Sequence, residues 1–113
     1  KEEKEIKETG EIMELAKQCE EAGCFSVVLE GIPRDLAKKI TDAIKIPTIG
    51  IGAGPDCDGQ VLVSNDMLGL YDKLSPKFAK RYAELGKEMK KAFEIYIKEV
   101  KEEKFPEDKH SFH

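Results

Sequence analysis

Apolar residues recur at helical spacing over residues 3–22. Ile12, Leu15, Ala16 and Cys19 follow an i, i+3, i+4, i+7 stripe, and Ala22 extends it. Gly23 then supplies a C-terminal cap, because glycine accepts a left-handed backbone. Gly10 weakens the early turns, which are expected to fray or to belong to a loop. The next segment, "CFSVVLE" (24–30), is short, apolar and β-branched, the pattern of a buried strand. Pro33 stands where a second helix would begin, and Leu36, Ala37, Ile40, Ala43 and Ile44 form its apolar stripe up to Pro47. "TIGI" (48–51) reads as a second strand and runs into the glycine-rich "GAGPDCDG".

Residues 58–66 leave two options open. "VLV" (61–63) has strand composition, but Asp58 just ahead of it is suited to cap a short helix, and "MLGL" (67–70) is then the third strand. Ser75-Pro76 predicts the start of a last helix, with Ser as N-cap and Pro in the first turn. Phe78, Tyr82, Leu85, Met89, Ala92, Phe93, Tyr96 and Val100 carry that helix to about residue 102, and Gly86 inside it marks a kink or a join.

The predicted order is α-β-α-β-(α or β)-β-α. Alternating units with near-continuous apolar strands imply an α/β fold with a parallel sheet. No repeat or linker divides the chain, so residues 1–113 are expected to form one domain, with 104–113 an irregular tail. The strands are too few for a closed barrel, which takes about 250 residues. The chain also opens on a helix with no strand before it, as the later part of a larger α/β protein would.

Composition narrows the function classes. Charged residues make up 37% of the chain and apolar ones 40%, and no stretch approaches the roughly 20 apolar residues of a membrane helix. The N-terminal "KEEKEIKETGE" has no apolar core of a secretory signal. The net charge of −4, with Lys and Glu interleaved, argues against a nucleic-acid surface. Cys19, Cys24 and Cys57 form no CxxC and no even framework, which points to reduced thiols and a cytoplasmic protein. Asn occurs once and Gln twice against many Lys and Glu, a balance common in heat-stable proteins.

The candidate chemistry starts at Glu30. In parallel α/β folds catalytic groups stand at the C-terminal ends of strands, and Glu30 ends the first one. Partial burial would make its carboxylate a better proton acceptor, which suits a general base. Position alone equally allows a solvated loop acid or an anion at a helix N-terminus. "IGIGAG" places Gly50, Gly52 and Gly54 after the second strand. It fails the dinucleotide fingerprint, since Pro55 and Cys57 occupy the places a further glycine would need, and no GK[ST] follows it. Two readings remain: close backbone approach to a ligand, or tight packing. Asp56 and Asp58 could hold a hard cation or cap turns. His110 and His113 share a terminal segment, where a metal pair competes with a loose end. The aromatic stripe Phe78, Tyr82, Phe93 and Tyr96 suits a core or a subunit contact better than a cofactor box.

Taken together, "VVLEGIP", "IPTIGIGAGPDCDGQVLVSNDMLGL", "PKFAKRYAELG" and the terminal "FPEDKHSFH" resemble the ketopantoate (3-methyl-2-oxobutanoate) hydroxymethyltransferase family. The resemblance runs in order from about Ala22 onward, while residues 1–21 match only as a charged helix. It implies a (β/α)8 barrel of which this chain is the C-terminal part, about three parallel strands with their helices, the N-terminal strands being absent. It carries over one catalytic residue: Glu30 matches the acid of the family's Leu-Glu-x-Ile/Val-Pro pattern, as the base. Gly50, Gly52 and Gly54 would line the pocket at the barrel mouth. The family's metal ligands and its substrate-binding Lys and His lie on earlier strands, so no metal residue transfers.

The resemblance further implies transfer of a hydroxymethyl group from 5,10-methylenetetrahydrofolate to 3-methyl-2-oxobutanoate, giving 2-dehydropantoate for pantothenate and coenzyme A synthesis. It implies Mg2+, held by the missing half, a homo-oligomer in the full-length form, and an isolated 113-residue piece without activity. Its expected partners are a small keto acid and a folate, with no nucleic acid or membrane. Two alternatives stand beside it: an Mg2+-dependent keto-acid lyase or mutase like the phosphoenolpyruvate mutase and isocitrate lyase group, and a non-catalytic assembly module.

Overall fold

A computed structural model describes residues 2–71 and 73–113. The chain divides into two compact units, residues 1–62 and 63–113.

The first unit is α/β. Helix α1 (Glu2–Glu21) runs unbroken through Gly10. It ends in a Schellman motif: Cys24 N–H donates to the Cys19 carbonyl and Gly23 N–H to that of Glu20, with Gly23 at φ +91°. The buried face of α1 differs from the expected stripe. Ala16 is buried and Ile12 and Met13 pack beside it, but Leu15 points to solvent. Strand β1 (Val27–Glu30) is shorter than the apolar run predicts, leaving Cys24 and Phe25 outside it and Phe25 exposed. Helix α2 (Arg34–Ala43) starts directly after Pro33, buries Leu36, Ala37 and Ile40, and leaves Ala43 exposed at its last turn.

Strand β2 (Thr48–Ile51) forms as expected and pairs in parallel with β1. The third strand, β3 (Gly59–Gln60), also pairs in parallel with β2, completing a sheet of order β1-β2-β3. Neither "VLV" nor "MLGL" is a strand, and Asp58 caps no helix. Its carboxylate is taken by Thr48, which accounts for the early pairing at Gly59. The core lies between α1, α2 and one face of the sheet, around Ala16, Leu29, Leu36, Ala37, Ile40 and Ile44. Glu20 reaches across from α1 and accepts hydrogen bonds from the N–H groups of Lys45 and Ile46, fixing the turn into β2.

The second unit is helical. Helix α3 (Ser64–Met67) is a single turn, and helix α4 (Leu85–Lys101) begins well after Ser75-Pro76. Ser75 and Pro76 belong instead to an irregular segment with one turn, Ala79 N–H to the Pro76 carbonyl. The physical reason lies in the backbone of the α3 end. Its carbonyls at Met67, Leu68 and Gly69 accept from the N–H groups of Tyr82, Leu85 and Gly86 at 2.7, 3.0 and 2.9 Å. The open carbonyls that end one helix thereby satisfy the open donors of Leu85 and Gly86 that begin the next. Gly86 is therefore no kink within a helix but part of the first turn of α4. The aromatic residues Phe78, Tyr82, Phe93 and Tyr96 are all largely exposed, so they form no core among the described residues of this unit.

The tail is more ordered than an irregular end. Phe105 packs edge-on against Tyr96 and lies over His110. The N–H of Glu107 donates to His110 Nδ1 across a 3-10 turn (Asp108–His110). None of the described helices is long and apolar enough to cross a membrane.

Candidate functional site

The site follows from the register of β1 and β2. Val27 lies beside Thr48 and Leu29 beside Gly50, and alternation sends these toward the helices. Val28 lies beside Ile49 and Glu30 beside Ile51, on the opposite face. On that face Val28 is 58% exposed, against 4% for Leu29 on the other, while Ile51, beside Glu30, is 9% exposed. Glu30 is therefore the carboxylate at the C-terminal end of an apolar sheet face that is open along β1.

Glu30 is exposed, not partly buried as the strand pattern suggests. The short strand explains this, because every second residue faces the open side and Glu30 is the last of them. Desolvation, which a buried base requires, is not supplied by the residues of this unit. What the chain does fix is the peptide after it. Gly31 takes φ +61° and its N–H donates to the Ile51 carbonyl at 2.9 Å. The ladder thus extends past Glu30, and the left-handed turn that follows is one glycine adopts without steric cost.

The glycine loop begins where that bond ends. Gly52 and Gly54 have φ +66° and +81°. A methyl group at Gly54 would lie 2.6 Å from Arg34 Cγ, and one at Gly50 would lie 2.9 Å from Cys57 Sγ. Close packing accounts for the absence of side chains at these two positions. Gln60 Nε2 donates to the Gly54 carbonyl at 2.9 Å and closes the loop on itself. The structure brings Glu30 and Gly52 to neighbouring ends of paired strands. A groove of about 440 Å3 between α1 and the start of α2 is lined by Glu5, Glu8, Thr9, Ile12, Pro33 and Leu36, and contains none of the predicted site residues.

The two aspartates have structural partners. Asp56 accepts from Arg34 Nε at 3.2 Å, and Asp58 accepts from the Thr48 N–H at 2.8 Å. His113 lies 3.2 Å from Asp108, while His110 serves the tail turn. Among the described residues no three His, Cys, Asp or Glu side chains are grouped to hold a metal ion. Sequence pattern did not single out Arg34 and Gln60, which clasp the glycine loop. Both are ordinary polar residues whose partners lie across a loop, and no local spacing marks them.

Residues 1–108 match the family model described as ketopantoate hydroxymethyltransferase, so the match takes in α1 as well as the sheet. Three curated relatives carry the name 3-methyl-2-oxobutanoate hydroxymethyltransferase. That of Clostridium acetobutylicum is 57% identical over 109 residues, covering 96% of this chain and 40% of the relative. That of Carboxydothermus hydrogenoformans is 53% identical over 109 residues, with the same coverage of 96% and 40%. That of Syntrophus aciditrophicus is 60% identical over 101 residues, 89% of this chain and 37% of the relative. The chain thus spans about 40% of the length of the curated relatives it matches. With an acid closing β1, a glycine loop closing β2 and a family match from the first helix to residue 108, the chain belongs to the ketopantoate hydroxymethyltransferase family.

Proposed function

We propose that these 113 residues are the C-terminal portion of an enzyme that transfers a hydroxymethyl group from 5,10-methylenetetrahydrofolate to 3-methyl-2-oxobutanoate, forming 2-dehydropantoate for pantothenate synthesis. The observation that carries the proposal is the placement of Glu30. It is a carboxylate at the carboxyl end of a sheet face open along β1, beside a glycine loop, in a chain 57% identical to a relative of that name. On this view the open face is the inner wall of a (β/α)8 barrel completed by strands outside this chain, and those strands dry the site around Glu30. The full-length protein is a cytoplasmic homo-oligomer.

Glu30 acts as general base. The C3–H of the keto acid is acidified by the neighbouring ketone, and a carboxylate within hydrogen-bond reach takes that proton. The carbanion so formed, delocalised onto the ketone oxygen, attacks the one-carbon unit of the folate. A new C–C bond replaces one C–N bond of the bridging methylene, a C–O bond to water replaces the other, and tetrahydrofolate leaves with the C3 proton and one from water on its two nitrogens. Gly50, Gly52 and Gly54 shape the pocket by keeping the loop close to the strand ends. The family resemblance implies Mg2+, but the described residues offer no ligand group for it, since Asp56 and Asp58 already serve Arg34 and Thr48. No step is assigned to a metal through this chain.

Turnover by the full-length protein tests the proposal. Incubation with the keto acid and 5,10-methylenetetrahydrofolate, followed by mass spectrometry, is expected to show a product larger by one hydroxymethyl group. Cleavage or rearrangement of the keto acid without folate would instead place the protein with the lyases and mutases. No conversion of any kind would favour an assembly role.

A further inference from the structure

We infer that Arg34 is a positioning residue that locks the loop carrying Glu30 to the glycine loop; the inference rests on Glu30 as the base. Arg34 is the first residue of α2, and only Gly31, Ile32 and Pro33 separate it from Glu30. Pro33 has its φ fixed by its ring, and Gly31 is bonded to Ile51, so this connection has little freedom.

The side chain of Arg34 makes two distinct contacts with the glycine loop. Its stem lies against Gly54, where an added Cβ would sit 2.6 Å from Arg34 Cγ and 3.0 Å from Arg34 Cβ. Its Nε donates to Asp56 Oδ2 at 3.2 Å. On its carbonyl side Gly54 is held by Gln60 Nε2 at 2.9 Å. The Gly54 peptide is therefore clasped between an arginine stem and a glutamine amide. Two ties now join the Glu30 loop to the glycine loop: the backbone bond from Gly31 to Ile51, and the side chain of Arg34. The first is a backbone tie next to the base, and the second adds a side-chain tie at Gly54 and Asp56.

The ion pair is at the surface, with the Arg34 side chain 66% exposed and that of Asp56 30% exposed. Exposed pairs contribute little to stability. The effect of removing this one is therefore expected in the alignment of Glu30 and not in folding.

The test follows deuterium exchange at C3 of 3-methyl-2-oxobutanoate by NMR, in the full-length protein, as a function of keto-acid concentration. Arg34→Ala is expected to lower the saturated exchange rate by roughly tenfold, as small misplacements of a reacting group do, with the half-saturating concentration and melting temperature unchanged. Arg34→Lys, which keeps a stem and a charge, should recover most of the rate, and Arg34→Met, which keeps the stem alone, should fall between. Glu30→Gln is measured alongside. If Glu30→Gln retains exchange, the base assignment fails and this inference with it. If Glu30→Gln abolishes exchange while Arg34→Ala stays within about twofold of the parent, the base stands and the positioning role of Arg34 is overturned. Should Arg34→Ala not fold, Arg34→Met and Asp56→Asn decide the matter on the same readout: an undiminished rate in both overturns the role.

Discussion

Thr48 and Asp58 bind each other three times: the Thr48 N–H donates to Asp58 Oδ2 at 2.8 Å, the Thr48 hydroxyl to the same oxygen at 3.3 Å, and the Asp58 N–H to Thr48 Oγ1 at 3.1 Å. The pair joins the first residue of β2 to the last residue before β3, so it closes the base of the glycine loop. Thr48 is wholly buried. Its hydroxyl also meets Thr41 Oγ1 at 2.8 Å, and Thr41 Oγ1 donates to the Ala37 carbonyl at 2.8 Å. Each hydroxyl has a single proton. With that of Thr41 given to Ala37, that of Thr48 is left for Thr41 Oγ1 and Asp58 Oδ2 to share, and the chain of bonds runs from α2 through β2 to the loop.

Removing the carboxylate leaves a buried N–H without an acceptor. Asp58→Ala is expected to lower stability by roughly 1–3 kcal/mol, read as a shift of the urea midpoint, and Asp58→Asn by less because its amide oxygen can still accept. An unchanged midpoint for Asp58→Ala would show that the bond contributes nothing.

Gly86 gives a prediction of opposite sign to the usual rule. Replacing glycine by alanine inside a helix ordinarily stabilises by about 1 kcal/mol. Here an added Cβ would lie 2.8 Å from the Gly69 carbonyl oxygen and 2.9 Å from that of Leu70, both backbone atoms that cannot swing aside. Gly86→Ala is expected to destabilise, because the methyl group would pry α4 from the carbonyls that start it. A raised melting temperature would contradict this contact.

Much of the first unit was legible in sequence. The α1, α2 and β2 segments were marked by apolar period and by Gly23, Pro33 and Pro47, which are local signals. The second unit was not, because what decides it is not local. Ser75-Pro76 carries good start chemistry, yet the donors of Tyr82, Leu85 and Gly86 are satisfied by carbonyls at Met67, Leu68 and Gly69. Likewise the third strand is set by Asp58 reaching Thr48, not by the apolar "VLV" that follows it. For the site, position left Glu30 open between a base and a solvated acid, and pattern left the glycines open between ligand approach and packing; the exposure of Glu30 and the clasp by Arg34 and Gln60 arise from contacts across the loop that no local spacing marks.

Ile40 tests the core. It is fully buried between α2 and the sheet, so Ile40→Ala should cost about 2–5 kcal/mol and Ile40→Val about 0.5–1.5 kcal/mol, measured by denaturant unfolding. Losses below that range for Ile40→Ala would mean that this core is loosely packed.

The open sheet face predicts that the 113-residue chain alone is inactive. Val28 and Glu30 lie uncovered on it, and no metal-holding group is present among the described residues. In D2O with Mg2+ and 3-methyl-2-oxobutanoate, exchange at C3 should match the protein-free rate. Rapid exchange would show that this chain holds a complete site.

The most direct measurement concerns Glu30 in the full-length protein. Removal of a general base typically lowers a proton-transfer rate by roughly a hundredfold to ten-thousandfold. Glu30→Gln should reduce C3 exchange of the keto acid by that much while the protein stays folded. Exchange at the parent rate in folded Glu30→Gln would contradict the assignment of Glu30 as the base.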